Sequence, residues 1–160
     1  MKKKETKKAF VVQQDEVLFK MKKFCAYRDR CHSEVRTKLL EQKVYGDMLE
    51  EVISELIIEG YLSEDRFARS YARGKFRMNQ WGKNKIIVGL KAKYIPANMI
   101  QTALTEIDEE DYLNTLQKLL EKKENTLSET NPALKNQKLI KYALGRGFEY
   151  ELISRALNID

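Results

Sequence analysis

The 160-residue chain carries one histidine, two cysteines, two prolines and seven glycines, and each shortage removes a class of explanation. A structural zinc site takes four ligands in paired spacings. Cys25, Cys31 and His32 supply three at most, and nothing elsewhere completes the set, so no metal site is predicted. A disulfide between the two cysteines is disfavoured as well, because six residues of helix separate side chains by roughly 9 Å along the axis. Two reduced thiols remain. Catalysis lacks its parts: the lone histidine has no nucleophile arranged with it by motif, and no close-spaced glycine run exists to cradle a phosphate. The acidic run at 106–111 does not follow the calcium-loop pattern. We therefore expect no catalytic residue, no cofactor and no enzymatic activity. No apolar stretch approaches the roughly 20 residues that cross a bilayer, and Met1-Lys2-Lys3-Lys4-Glu5-Thr6 lacks the apolar core of a secretion signal. The expectation is a cytoplasmic protein that does not enter membranes.

With so little glycine and proline to interrupt it, the chain suits helices, and one helical pattern is written three times. Val44, Ile95 and Phe148, 51 and 53 residues apart, each end one helical segment and introduce another. Aligned on these markers, Val35, Ile86 and Leu139 coincide, as do Leu39, Leu90 and Ala143. Leu49, Ile100 and Ile153 then match in the following helices. Apolar residues at matched helical positions mean that each copy buries the same faces. The predicted fold class is all-α, with three tandem three-helix repeats forming an elongated, curved array. The boundaries are a flexible basic tail over 1–14 and repeats over 15–61, 62–106 and 107–160. Gly60 is expected to end one helix in the left-handed conformation and Ser63 to cap the next. Asn131-Pro132 reads as a cap followed by proline in the first turn. In the first helix the expected stripe is Val17, Phe19 or Met21, Phe24 and Tyr27.

The net charge of +6 is moderate but unevenly placed. From Arg66 through Lys93 there are nine basic residues and no aspartate or glutamate, whereas 106–111 concentrates the opposite sign. Such an asymmetry steers polyanions to one region. Arg66, Arg69, Arg73 and Arg77 recur at spacings of three, four and four, which places four guanidiniums along one helix face, and guanidinium makes forked contacts with phosphate or carboxylate. Trp81 stands beside them, where an indole stacks on bases or anchors a protein partner. The candidate binding residues are Arg66, Arg69, Arg73, Lys75, Arg77, Trp81, Lys83, Lys85, Lys91 and Lys93. The competing reading is a solvated basic face with the aromatics in the core, and Arg66 in particular has a structural alternative.

The stretch from Gly60 through Tyr71, Gly-Tyr-Leu-Ser-Glu-Asp-Arg-Phe-Ala-Arg-Ser-Tyr, followed by Trp81-Gly82-Lys83 and a basic helix ending at Ile95, resembles the bacterial RecX regulators of the RecA recombinase. The resemblance runs from about residue 17 to the end. Tyr94 departs from it where a glycine is common, and Lys83 where a proline often opens the helix. It implies three tandem three-helix repeats and a non-enzymatic protein of DNA repair, recombination and the SOS response. Such a protein binds the RecA filament on single-stranded DNA and modulates, chiefly inhibits, its ATPase and strand exchange, with direct DNA contact as a further possibility. A monomer is the default expectation. The alternative is a helical DNA-binding protein that acts without a recombinase partner, since three-helix units resemble helix-turn-helix domains.

Overall fold

The computed structural model describes residues 1–159, and among them it contains helices and no strand. In order these are α1 (Lys2–Tyr27), α2 (His32–Glu41), α3 (Gly46–Ile58), α4 (Glu64–Asn79), α5 (Lys83–Ala92), α6 (Ala97–Leu104), α7 (Glu109–Glu124), α8 (Pro132–Gly145) and α9 (Tyr150–Ala156). They group in threes, one triplet per repeat. By compactness the chain divides into two units, one comprising residues up to Ala68 with Lys93–Ile95, the other Arg69–Ala92 with the chain from Pro96 onward.

In the first unit, Val17, Met21 and Cys25 of α1 close over Val35 and Leu39 of α2 and over Leu49, Val52 and Leu56 of α3. Each fully buried aliphatic side chain contributes about 1.5–3 kcal/mol relative to exposure. The α1 stripe therefore follows a four-residue spacing, and Phe19 and Tyr27, expected on it, stand exposed. The helix begins at Lys2, so the stretch expected as a tail over 1–14 is helical from its second residue. Side chains up to Gln13 are all exposed, so that part of α1 needs no amphipathic pattern. Lysine, glutamate, glutamine and alanine favour a helix without one.

The helix ends follow local chemistry. Gly60 is left-handed at φ 79°, the Ser63 hydroxyl accepts from the Arg66 amide at 3.2 Å, and the Asn131 side chain accepts from the amides of Ala133 and Leu134. The residue just before each repeat marker is left-handed in every copy: Lys43 at φ 60°, Tyr94 at φ 60° and Gly147 at φ 96°. The Val44 amide then reaches back to the Leu39 carbonyl at 3.0 Å, and the Phe148 amide to Ala143 at 3.1 Å, closing the preceding helix. Tyr94 thus occupies a conformation that glycine adopts without strain and that costs an L-residue about 1–2 kcal/mol.

The second unit is built around Tyr112, which is fully buried between Phe76 (centroids 5.8 Å apart) and Phe148 (5.1 Å). Its hydroxyl accepts from the Lys83 amide at 2.9 Å and donates to Glu149. Burial, reinforced by that carboxylate, pushes the phenol far above its ordinary pKa. Beside it, the Gly82 amide donates to the Arg146 carbonyl at 2.8 Å and the Asn84 amide to the Gly147 carbonyl at 2.9 Å. The first donors of α5, which have no partner within their own helix, are thus satisfied by the third repeat. A Cβ at Gly82 would lie 2.2 Å from the Gly147 backbone, so this approach admits only glycine.

Candidate functional site

The ten basic and aromatic candidates do not share one fate, because neighbouring side chains divide them. Arg66 lies in the first unit. Its Nε binds Asp29 at 2.9 Å, and Nη2 donates to the carbonyls of Gly60 and Tyr61 at 3.2 Å each. The guanidinium ties the α3–α4 turn together, so the structural alternative for Arg66 is the one its geometry favours. Lys93, also in the first unit, binds Glu34 at 2.9 Å and sits 5.9 Å from the Phe67 ring centroid.

The remaining eight belong to the second unit. Arg69 and Arg73, one turn apart on α4, converge on a single carboxylate: Arg69 reaches Glu106 at 2.9 Å and Arg73 reaches its other oxygen at 3.2 Å. The hydrogen bond from Arg69, joined by that from Arg73, holds the Glu106 carboxyl below its ordinary pKa. Lys83 pairs with Glu109, and its Nζ lies 4.7 Å from the Tyr112 centroid. Arg77 and Lys91 are exposed.

Lys75 and Lys85 are placed differently. Both ammonium groups stand 4.7 Å from the centroid of the half-buried Trp81 ring, one supplied by α4 and one by α5. Tyr71 meets the indole edge-on, with centroids 6.5 Å apart, and lies 5.5 Å from Lys75. A ring quadrupole attracts a cation without cancelling its charge. The cluster therefore keeps two positive charges beside a flat apolar surface, a combination suited to a phosphate next to a base or to an acidic side chain next to an apolar one.

The pairing of Arg69 and Arg73 with Glu106 was not expected from the sequence. Glu106 is the first carboxylate after a stretch from 66 to 105 that has none, a signal that it is the counter-ion of that stretch. Arg146 was missed too: its Nη2 donates to the carbonyls of Asn79 and Gln80, where α4 ends and a cation suits the helix dipole. Among the described residues no cluster of histidine, cysteine or carboxylates could hold a metal ion, and no helix is long and apolar enough to cross a membrane.

Repeated helical triplets with lysines held around an aromatic ring define a class, that of helical-repeat scaffolds carrying an anion-attracting surface. Comparison with known proteins narrows it. The model of the second three-helix domain of RecX matches residues 63–104, and that of the third matches 109–157. The chain belongs to the RecX family. It is 31% identical to the regulatory protein RecX of Clostridium perfringens strain 13 over 76% of this chain and 58% of that protein. It is 32% identical to that of Lactococcus lactis over 84% of this chain and 51% of that protein. The chain thus spans little more than half the length of these relatives. Two solved structures share the fold: a regulatory protein RecX with TM-score 0.89, at 22% identity over 99% of this chain and 77% of that one, and RecX from Lactobacillus salivarius with TM-score 0.85, at 24% identity over 92% and 96%.

Proposed function

We propose that this chain binds the filament that RecA forms on single-stranded DNA and lowers its ATP hydrolysis and strand exchange, acting as a cytoplasmic monomer without chemistry of its own. The observation that carries this reading is the Lys75–Trp81–Lys85 cluster, two ammonium groups each 4.7 Å from the centroid of one indole. A nucleoprotein filament offers acidic side chains and phosphates in a repeating array, and a cation over a ring is ready for either. The repeats over 15–61, 62–106 and 107–160 act as successive docking units. A protein that bridges neighbouring filament subunits opposes the movements coupled to nucleotide turnover, and one that fills the groove excludes incoming duplex. Lys75 and Lys85 grip the partner and Trp81 packs against it. Arg77, Lys83 and Lys91 supply further attraction, Arg69 and Arg73 serve as a reserve held by Glu106, and Arg66 and Lys93 keep their structural ties.

The test is recombinase ATPase on single-stranded DNA with this protein titrated in, comparing the parent chain with a Lys75→Glu, Lys85→Glu variant of unchanged circular dichroism. Equal inhibition by the two would overturn the surface. A second reading, binding of DNA without the recombinase, is favoured by the way Trp81 could stack on a base. Salt titration separates the two readings. Neutralising about five phosphates of a single strand gives a log-log slope near −3.5. A slope that the Lys75→Glu, Lys85→Glu exchange leaves unchanged, while recombinase inhibition is lost, identifies the protein partner at this cluster.

A further inference from the structure

One face of α8 carries a basic stripe beside the positions that the three copies share. Leu139 and Ala143 are buried at the positions shared by all three copies. Next to them, Lys138, Lys141, Tyr142, Gly145 and Arg146 follow one another at spacings of three, one, three and one, the signature of a single helical stripe. That stripe lines an open groove of about 530 Å³, closed on its other side by Lys123 and Leu127. Four cations and no carboxylate face it. The repeat carries only part of this stripe: the positions matching Lys138 and Arg146 are Lys85 and Lys93 in the second copy, but Glu34 and Gln42 in the first.

The wall has distinct parts. Arg146 spends its guanidinium on the end of α4, which fixes the groove rather than gripping a ligand. Lys123 Nζ lies 5.0 Å from the centroid of the half-buried Tyr142 ring. Lys141 is exposed, and Lys138 shares only a 3.5 Å ion pair with Glu129 while remaining 52% exposed. At Gly145 a Cβ would meet nothing within 4 Å, so the floor of the groove is open space against the backbone.

We propose that this groove of the third repeat, distinct from the Trp81 cluster, binds a short stretch of single-stranded polynucleotide, with a base against Tyr142 and Leu127 and the flanking phosphates on Lys138, Lys141 and Lys123. An acidic peptide meets the cations and offers a flat ring only where its sequence supplies one, whereas every nucleotide brings a phosphate and a base together.

The experiment measures fluorescence anisotropy of a labelled oligothymidylate against the full chain, without recombinase, over a range of salt concentrations. Replacing Lys138 and Lys141 by alanine is expected to make the log-log salt slope shallower by about 1.4. Gly145→Leu keeps every charge and fills the floor, and it is expected to weaken binding about tenfold. If Gly145→Leu melts early, Tyr142→Ala replaces it, with an expected loss of at least about fivefold. Unchanged affinity in the lysine variant and in whichever groove variant remains folded would overturn the proposal. So would a loss confined to the Lys75→Glu, Lys85→Glu variant, or displacement of the oligonucleotide by a polyglutamate peptide of equal charge at equal concentration. Because the assay contains no recombinase, its failure leaves the filament reading standing, and the ATPase test can fail without touching the groove.

Discussion

Arg69 and Arg73 on one side, and Lys75 and Lys85 on the other, carry the same formal charge on the consecutive helices α4 and α5, yet their surroundings give that charge opposite uses. The arginines share Glu106, at 2.9 and 3.2 Å, so part of their charge is already answered within the chain. The lysines share an indole, and both charges persist. A count of basic residues therefore overstates the attraction a surface exerts, and the partner of each cation decides how much reaches a ligand.

The comparison can be broken most directly at the lysines. Reversing Lys75 and Lys85 to glutamate is expected to raise the concentration needed for half-inhibition of recombinase ATPase at least about tenfold, since like charges then face an acidic partner. An inhibition curve that does not move would erase the distinction. Glu106→Gln works in the opposite sense. It loosens the arginines and is expected to tighten binding to polyanions about threefold, with a salt slope steeper by about 0.7 for each phosphate gained. An anisotropy titration that shows weaker binding would mean that Glu106 shapes the surface rather than holding charge back. Arg69→Gln is expected to change inhibition less than about twofold, because a partly exposed ion pair contributes little. A larger loss would move Arg69 into the gripping set.

Acid sharpens the contrast further. The Glu106 carboxyl is depressed below 4.5 in the folded chain, so its pairing contributes stability that is fully present above pH 4.5 and is lost as pH falls through the lower folded value. Melting temperatures of the parent chain and Glu106→Gln should therefore differ at neutral pH and converge at acid pH. Parallel curves would show that the pairing has no bearing on stability.

Much of this architecture was legible before any coordinates. The markers Val44, Ile95 and Phe148 lie buried where matched repeats require, and Gly60, Ser63 and Asn131 end or begin helices through local geometry that short sequence windows encode. What was illegible depends on distance along the chain. Arg69 meets Glu106 37 residues away, as Arg66 meets Asp29, and short windows of sequence announce neither. The helical start of α1 escaped for a different reason: with every side chain exposed, propensity acts without the periodic stripe that betrays an amphipathic helix. Tyr94 shows the converse, a position whose geometry calls for glycine while the residue does not supply one.

Repeat proteins invite module shuffling, in which copies are deleted, duplicated or exchanged at their boundaries. The Gly82–Gly147 seam forbids that operation for the last two copies here. Excising the third would strip the opening turn of α5 of the Arg146 and Gly147 carbonyls and of the Tyr112 hydroxyl at once. The second and third triplets are therefore expected to fold as a pair, and a chain cut between them to lose the second along with the third.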